Sequence, residues 1–260
     1  MGHKDKEDAP GCWHDLTIVR RKTTQPLWHP GAEVAHPHAG RLRNALVVPL
    51  AVASGATDAL GFLALGSTFT SVMTGNMVLF GIAVSHRDTA ALLLTAVAIG
   101  AFVTGAGIGA HVAGTPQKGD PVWPHAVTVA LGWEFGLFAS FACAWWLLGS
   151  APPSDFFLPL LAVNAAALGL QSSAIQRFGV SGLSTTYLTG TLTHVMIRLV
   201  SGHGLRSVGH SVAMLVGLVV GAAVGAALIR FAAAALPLAQ LLTVGGVLTV
   251  VRMQRETLSS

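Results

Sequence analysis

Residues 45–66 have the sequence ALVVPLAVASGATDALGFLALG, in which Asp58 is the only charged residue. At 1.5 Å per residue in an α-helix, this stretch is long enough to cross the hydrocarbon core of a bilayer, which is roughly 30 Å thick. The rest of the chain is similar, because 52% of its 260 residues are hydrophobic and only 10% are charged. Soluble domains carry about 25% charged residues. The composition therefore predicts an integral membrane protein and excludes an ordinary soluble enzyme or nucleic-acid-binding protein.

Further apolar segments follow, separated by short polar breaks. The sequence predicts an all-α, polytopic transmembrane helix bundle of eight spans, at residues 45–66, 70–86, 88–113, 122–149, 156–176, 184–201, 207–229 and 232–251. Seven spans are the alternative, because the break around Arg230 and Pro237 is weak. With eight crossings, twelve of the fifteen Lys and Arg residues lie on the side of the N-terminus. This excess predicts that both termini are cytoplasmic.

Residues 1–44 mix charge, proline and histidine without helical or strand periodicity. This composition is typical of a disordered segment, so we expect a cytoplasmic tail before a transmembrane domain at 45–251, and a cytoplasmic C-terminus at 252–260. The histidines of the tail match no metal-site spacing. The chain also contains no H-E-x-x-H, G-x-S-x-G or C-x-x-C motif. We therefore predict neither an enzyme nor a bound metal or cofactor.

Two parts of the transmembrane domain resemble each other. Residues 70–76 have the sequence TSVMTGN, and residues 185–191 have the sequence TTYLTGT. Allowing a two-residue shift upstream, Gly66 aligns with Gly179 and Asp58 with Gln171. Each unit thus has a polar residue late in one helix, a turn, and a short helix opening with T-[ST]-x-x-T-G.

These units predict two internal repeats, at about 45–113 and 156–229. Four crossings would separate them, so they should be parallel; they become inverted if segment four does not cross. In either arrangement, short segments at corresponding positions of two halves indicate a transporter-type site.

Asp58 is the first candidate site residue, because a carboxylate at membrane depth costs about 2.5 to 3.5 kcal/mol and needs a partner or a proton. Thr74 and Asn76, early in the next segment, could hydrogen-bond to it. Glu134 is alone on an apolar face of segment four, so we expect it to be neutral or to carry an exchangeable proton. Each carboxyl group also has a structural interpretation. In this alternative, Asp58 only joins helices by hydrogen bonds, and Glu134 bonds to another helix, for example to His194.

Segments five and six supply the remaining candidates. Asn164 and Gln171 are seven residues apart and share a face of segment five. Thr189 and His194 lie on or beside a hydroxyl-rich face of segment six. Threonine hydroxyls in a helix also bond to the backbone of the preceding turn, and a lone histidine often makes only a helix contact, so these residues have a structural interpretation as well.

The same motifs resemble a known family. The chain is similar to the YoaK family of bacterial membrane proteins, defined by a domain of unknown function, in residues 54–62 (SGATDALGF), in Gly66 and Phe69, in 74–76 (TGN), and in 169–174 (GLQSSA) and 185–190 (TTYLTG). The resemblance covers roughly residues 45–251 and implies a multi-pass protein of the bacterial inner membrane. The long histidine-bearing tail departs from the family's usually short N-terminus, so nothing about the tail follows from the resemblance.

The repeat and the intramembrane carboxyl groups favour a small-solute or ion transporter, with a polar site between the repeats. The alternative is a non-transporting membrane scaffold or regulatory protein, whose polar residues join helices. The expected partners are the lipid bilayer and an unidentified small solute or ion, with no nucleic acid. Homo-oligomerisation is left open by the sequence.

Overall fold

The computed structural model describes residues 37–117, 120–178, 188–202 and 208–259, and its regular structure there is entirely helical. The described helices are α1 (Pro37–Ala64), α2 (Met73–His86), α3 (Thr89–Ala113), α4 (His125–Leu147), α5 (Phe157–Gln176), α6 (Leu188–Val200), α7 (Gly209–Phe231) and α8 (Leu236–Ser259). The prediction of an all-α bundle is confirmed, and each predicted segment contains one helix. α1 begins before residue 45. Residues 1–36, Gly179 and residues 185–187 of the second motif lie outside the described residues.

Six of the described helices are long and apolar enough to cross a membrane: α1, α3, α4, α5, α7 and α8. In contrast, α2 has 14 residues and α6 has 13. At 1.5 Å per residue these two helices are about 21 and 20 Å long, which is less than the thickness of the hydrocarbon core. The eight predicted segments are thus eight helices, of which six are candidate spans.

The first and fifth helices run in opposite directions. Gly61, late in α1, lies beside Leu161, early in α5, whereas Ser54, earlier in α1, bonds to Gln171, late in α5. The expectation that the two similar units point the same way is therefore wrong for their first helices. The reason lies in the short helix α2, which lies between them and was counted as a crossing.

The connection containing α2 begins and ends at the same end of the bundle. Gly66, just after α1, lies against Leu94 in the second turn of α3 and against Phe157 at the start of α5. α2 therefore leaves and returns to this end without crossing. We call the end of the bundle at which α1 ends and α3 begins the far end. The opposite end, at which α1 begins, is called the N-terminal end.

Two helix pairs, α1 with α7 and α3 with α5, run parallel and touch backbone to backbone. A Cβ atom at Gly221 of α7 would overlap the carbonyl group of Val52, and a Cβ at Gly105 of α3 would overlap that of Ala166. One turn later, Gly225 against Ala56 and Gly109 against Leu170 repeat this contact. Glycine is required here because no other side chain permits such an approach. Since α7 is parallel to α1 and α5 is antiparallel, the α5–α7 connection also begins and ends at one end.

The centre of the bundle is formed by α1 and α5, whose spans are 72% and 67% buried, against 17% and 22% for α3 and α7. Apolar side chains of α4 and α8 complete this core. It has one cluster towards the N-terminal end, including Leu50, Leu131, Phe138, Leu168 and Val247, and one towards the far end, including Leu60, Phe141, Trp145, Leu161 and Leu236.

Candidate functional site

The carboxyl group of Asp58 holds the turn that precedes α2. Its Oδ1 accepts the backbone N–H groups of Thr70 at 2.8 Å and Ser71 at 2.7 Å, and the hydroxyl of Thr70 at 3.0 Å. The hydroxyl of Ser71 donates to Oδ2. All three residues are buried. Four donors on one buried carboxyl group account for its presence at this depth, because they replace the hydrogen bonds that water would provide.

Asn76 holds the same turn from the other side. Its Oδ1 accepts the backbone N–H of Phe69 at 3.0 Å, and its Nδ2 donates to the carbonyl oxygen of Phe69 at 2.7 Å. Asp58 and Asn76 are thus brought together around residues 69–71. Thr74 is exposed in the first turn of α2. The donors to Asp58 are therefore Thr70 and Ser71, ahead of the helix, and not the residues at 74–76.

A second polar group ties three central helices together. Gln171 of α5 donates to the hydroxyl of Ser54 at 3.0 Å. Gln240 of α8 donates to Thr57 of α1 at 2.8 Å and to Asn164 of α5 at 3.1 Å. All of these side chains are buried. Gln240 was not among the residues predicted from the sequence, although a single amide in an otherwise apolar segment is a signal that could have identified it.

The helix contacts give a register for the two similar units. Gly55 of α1 lies against the backbone of Leu218 and Ala222 in α7, and Gly169 of α5 lies in the same way against Phe102 and Ala106 in α3. Matching these two glycines places Gln171 opposite Thr57 in the alignment, and Ser172 opposite Asp58. The sequence alignment of Asp58 with Gln171 is therefore displaced by one residue.

Glu134 is the exception among the buried polar residues. It lies near the middle of α4 and is 0% exposed. Within the described part of the chain, neither of its carboxyl oxygens has a hydrogen-bond partner. A carboxylate in this position would lose its hydration without compensation, so the arrangement favours the protonated form, which needs no counter-ion.

The two candidates on α6 lie apart from the other candidates. Thr189 and His194 are exposed, and α6 packs mainly on α7. His194 therefore does not supply the hydrogen bond that Glu134 lacks. A cleft of about 360 Å³ lies between α4 and α8 and is lined by Gly132, Phe135, Gly245, Leu248, Thr249 and Arg252, and Glu134 is not among its lining residues.

Between the six candidate spans lies a belt of buried polar side chains, formed by Ser54, Thr57, Asp58, Asn164, Gln171 and Gln240. This arrangement defines a polytopic α-helical membrane protein. The family model described as "Protein of unknown function (DUF1275)" matches residues 46–251, so the chain belongs to this family. UPF0700 transmembrane protein YoaK of Bacillus subtilis (strain 168) is 32% identical over 158 residues, which are 61% of this chain and 68% of that protein. Both findings confirm the resemblance to the YoaK family. No solved structure matches the chain.

Proposed function

We propose that the chain transports a small solute or ion, and that protonation and deprotonation of Glu134 accompany transport. The observation that carries this proposal is a fully buried carboxyl group, halfway along a candidate span, whose two oxygens have no partner among the described residues. Ionisable residues at this depth are costly and commonly mark ion paths or proton relays.

The arrangement of the helices supports the same proposal. We propose that α1–α3 and α5–α7 are inverted-topology repeats, related by an axis in the membrane plane. The matched glycine contacts of the α1–α7 and α3–α5 pairs support this relation, as does the opposite direction of α1 and α5. Transporters built from inverted repeats commonly bind their substrates near the midplane, where the repeats meet.

We further propose that the protein lies in the bacterial inner membrane with its N-terminus in the cytoplasm. With six crossings, the far end has only two basic residues: Arg87, in the α2–α3 link, and Arg230, in the last turn of α7. All other Lys and Arg residues belong, by connectivity, to the opposite side. This distribution follows the positive-inside rule more closely than the eight-crossing arrangement does.

The test is proton movement in liposomes that contain the purified protein and a pH-sensitive dye. We expect acid uptake driven by a solute from a panel of small anions and cations, and loss of this uptake in Glu134→Gln. Asp58→Asn is the matched control, because its amide can keep the turn before α2 while removing the charge. Infrared spectroscopy supplies a second readout: a protonated carboxyl band that is absent in Glu134→Gln. Absence of both signals in the parent protein would contradict the proposal.

A scaffold or regulatory protein is the second candidate. The observation that favours it is that the hydrogen bonds of Asp58, Asn76 and Gln240 described above all join parts of this chain to one another. Under this function, liposomes with the parent protein show no solute-driven proton uptake, and substitutions in the polar belt change only stability.

A further inference from the structure

Arg43 is a buried cation at the N-terminal end of the bundle. It is 8% exposed. Its only hydrogen bonds in the described part of the chain go to the neighbouring Asn44 Oδ1, at 3.4 and 3.5 Å, which are long for such bonds. Its guanidinium group lies 5.7 Å from the ring centre of Phe178. Asp120, which lies near the C-terminal end of α5, is already paired with Arg177 at 2.9 Å. Burial of a charge without a counter-ion is costly.

His210 places a second donor beside this cation. It lies in the first turn of α7, seven residues before Gly217, and is therefore on the face of α7 that packs on α1. Its Nε2 is buried and has no hydrogen-bond partner among the described residues. A buried donor without an acceptor and a buried cation without a counter-ion are both satisfied by one anion with several acceptor oxygens.

The N-terminus of α7 is a third feature that attracts negative charge. Gly217 lies against Val48 in the parallel pair, so residue 212, in the first turn of α7, is level with Arg43. The N-cap residue Val208 offers no side-chain hydrogen bond to this turn. Free N–H groups and the helix dipole make such an N-terminus attractive to phosphate and carboxylate groups.

From these three features we infer that Arg43, His210 and the N-terminus of α7 form a binding site for a phosphate group. Arg43 supplies the charge and a two-pronged donor, His210 supplies Nε2–H, and Phe178 supports the guanidinium plane. The phosphate can come from an anionic lipid headgroup or from a free solute. The site is separate from the transport proposed above, because binding to it can be measured at equilibrium without any flux.

Two binding measurements distinguish the sources. Titration of the detergent-purified protein with inorganic phosphate, followed by calorimetry, detects a free phosphate site. Native mass spectrometry with phosphatidylglycerol, against phosphatidylcholine, detects a site for anionic lipid. We expect binding in at least one measurement, and a loss of about tenfold or more in Arg43→Gln, because a charge-assisted hydrogen bond is worth about 1.5–3 kcal/mol.

Arg230→Gln is the matched control. Arg230 also lies over an aromatic ring, 5.3 Å from the centre of Phe231, but it is exposed and belongs to the far end. Its substitution should leave binding within about twofold of the parent. His210→Phe keeps the ring and removes the donor, and it provides the test if Arg43→Gln does not fold. Equal binding by the parent, Arg43→Gln and His210→Phe, or binding of neither probe by the parent, would overturn the inference.

Discussion

The indole Nε1 of Trp145, near the end of α4, donates a hydrogen bond of 3.0 Å to the carbonyl oxygen of Ala233, just before α8. Trp146 makes the corresponding bond to Ala234 at 2.8 Å. α4 therefore ends where α8 begins, so the two helices are antiparallel. The pair of tryptophans marks the far end of the bundle, as expected for aromatic residues at a membrane interface.

This arrangement predicts the side on which the α2–α3 link is exposed. In a variant with Cys12 and Cys143 replaced by serine, we expect Ser67→Cys, just before α2, and Arg87→Cys, just after it, to react with an impermeant maleimide from the same side of sealed vesicles. Gln117→Cys, in the α3–α4 connection, should react from the opposite side. Labelling of Arg87→Cys from the side opposite to Ser67→Cys would instead show that α2 crosses the membrane.

The close packing of α3 on α5 predicts a contrast between two glycines of one helix. Gly105→Ala should lower the free energy of unfolding by about 1–3 kcal/mol, because its new methyl group overlaps the backbone of Ala166. Gly107 has open space at the corresponding position, so Gly107→Ala should be neutral or stabilising by up to about 1 kcal/mol. Unfolding in detergent micelles measures both changes. Equal effects of the two substitutions would mean that α3 and α5 do not touch at Gly105.

The bonds of Asp58 predict that the shape of its side chain matters more than its charge. Asp58→Asn should remain folded, because the amide oxygen accepts the N–H groups and the Ser71 hydroxyl can turn to accept from the amide nitrogen. Asp58→Leu should be destabilised by about 1–3 kcal/mol for each buried N–H left without an acceptor.

Asp88 provides the control for this pair of substitutions. It is exposed and caps α3 by accepting the N–H groups of Ala90 and Ala91. Loss of such a cap in Asp88→Leu should cost only about 0.5–2 kcal/mol. If Asp58→Asn is as damaging as Asp58→Leu, the negative charge itself is needed, and the structural account of Asp58 is wrong.

The link between α3 and α4 should respond to acid. The backbone N–H of Gln117 lowers the pKa of Asp120, and Arg177 lowers it further. The stability from these contacts is therefore fully present above the unfolded-state pKa, about 3.9, and is lost as the pH falls through the lower folded-state pKa. Hydrogen exchange of residues 120–124 should accelerate over this range in the parent. Asp120→Asn should remove this pH dependence of hydrogen exchange. If the parent and Asp120→Asn show the same pH dependence, the assignment is wrong.

The number of helices could be predicted from the apolar segments, because each is framed by polar residues, glycine or proline; the polar ends of α1, from Pro37, and of α8, to Ser259, could not, because they extend beyond the apolar segments. The sequence could not show that α2 and α6 do not cross the membrane, because their composition is as apolar as that of the six candidate spans. Only the contact of Gly66 with Leu94 shows that α1 ends where α3 begins. Counting α2 as a span led directly to the wrong relative direction of α1 and α5.

The polar residues were predictable in type and less so in their partners. The cost of a carboxyl group in the bilayer identified Asp58 and Glu134, and the motif identified Asn76. The donors to Asp58 come from a turn that the sequence pattern assigned to a helix. Arg43 and His210 were not candidates, because the first was assigned to the tail and the second to the start of an apolar segment. Their proximity depends on the parallel packing of α1 and α7.

The two closely packed pairs, α1 with α7 and α3 with α5, each join a helix of the first half of the chain to a helix of the second half. This pairing has a consequence during synthesis. α1 leaves the ribosome long before α7, the helix on which Gly55 of α1 packs. The first half of the chain is therefore in the membrane while the surface of α1 that packs on α7 is still uncovered. Insertion of the individual helices and their assembly are then separate events in time. A chain interrupted before α7 would leave behind an inserted intermediate that quality-control proteases can recognise.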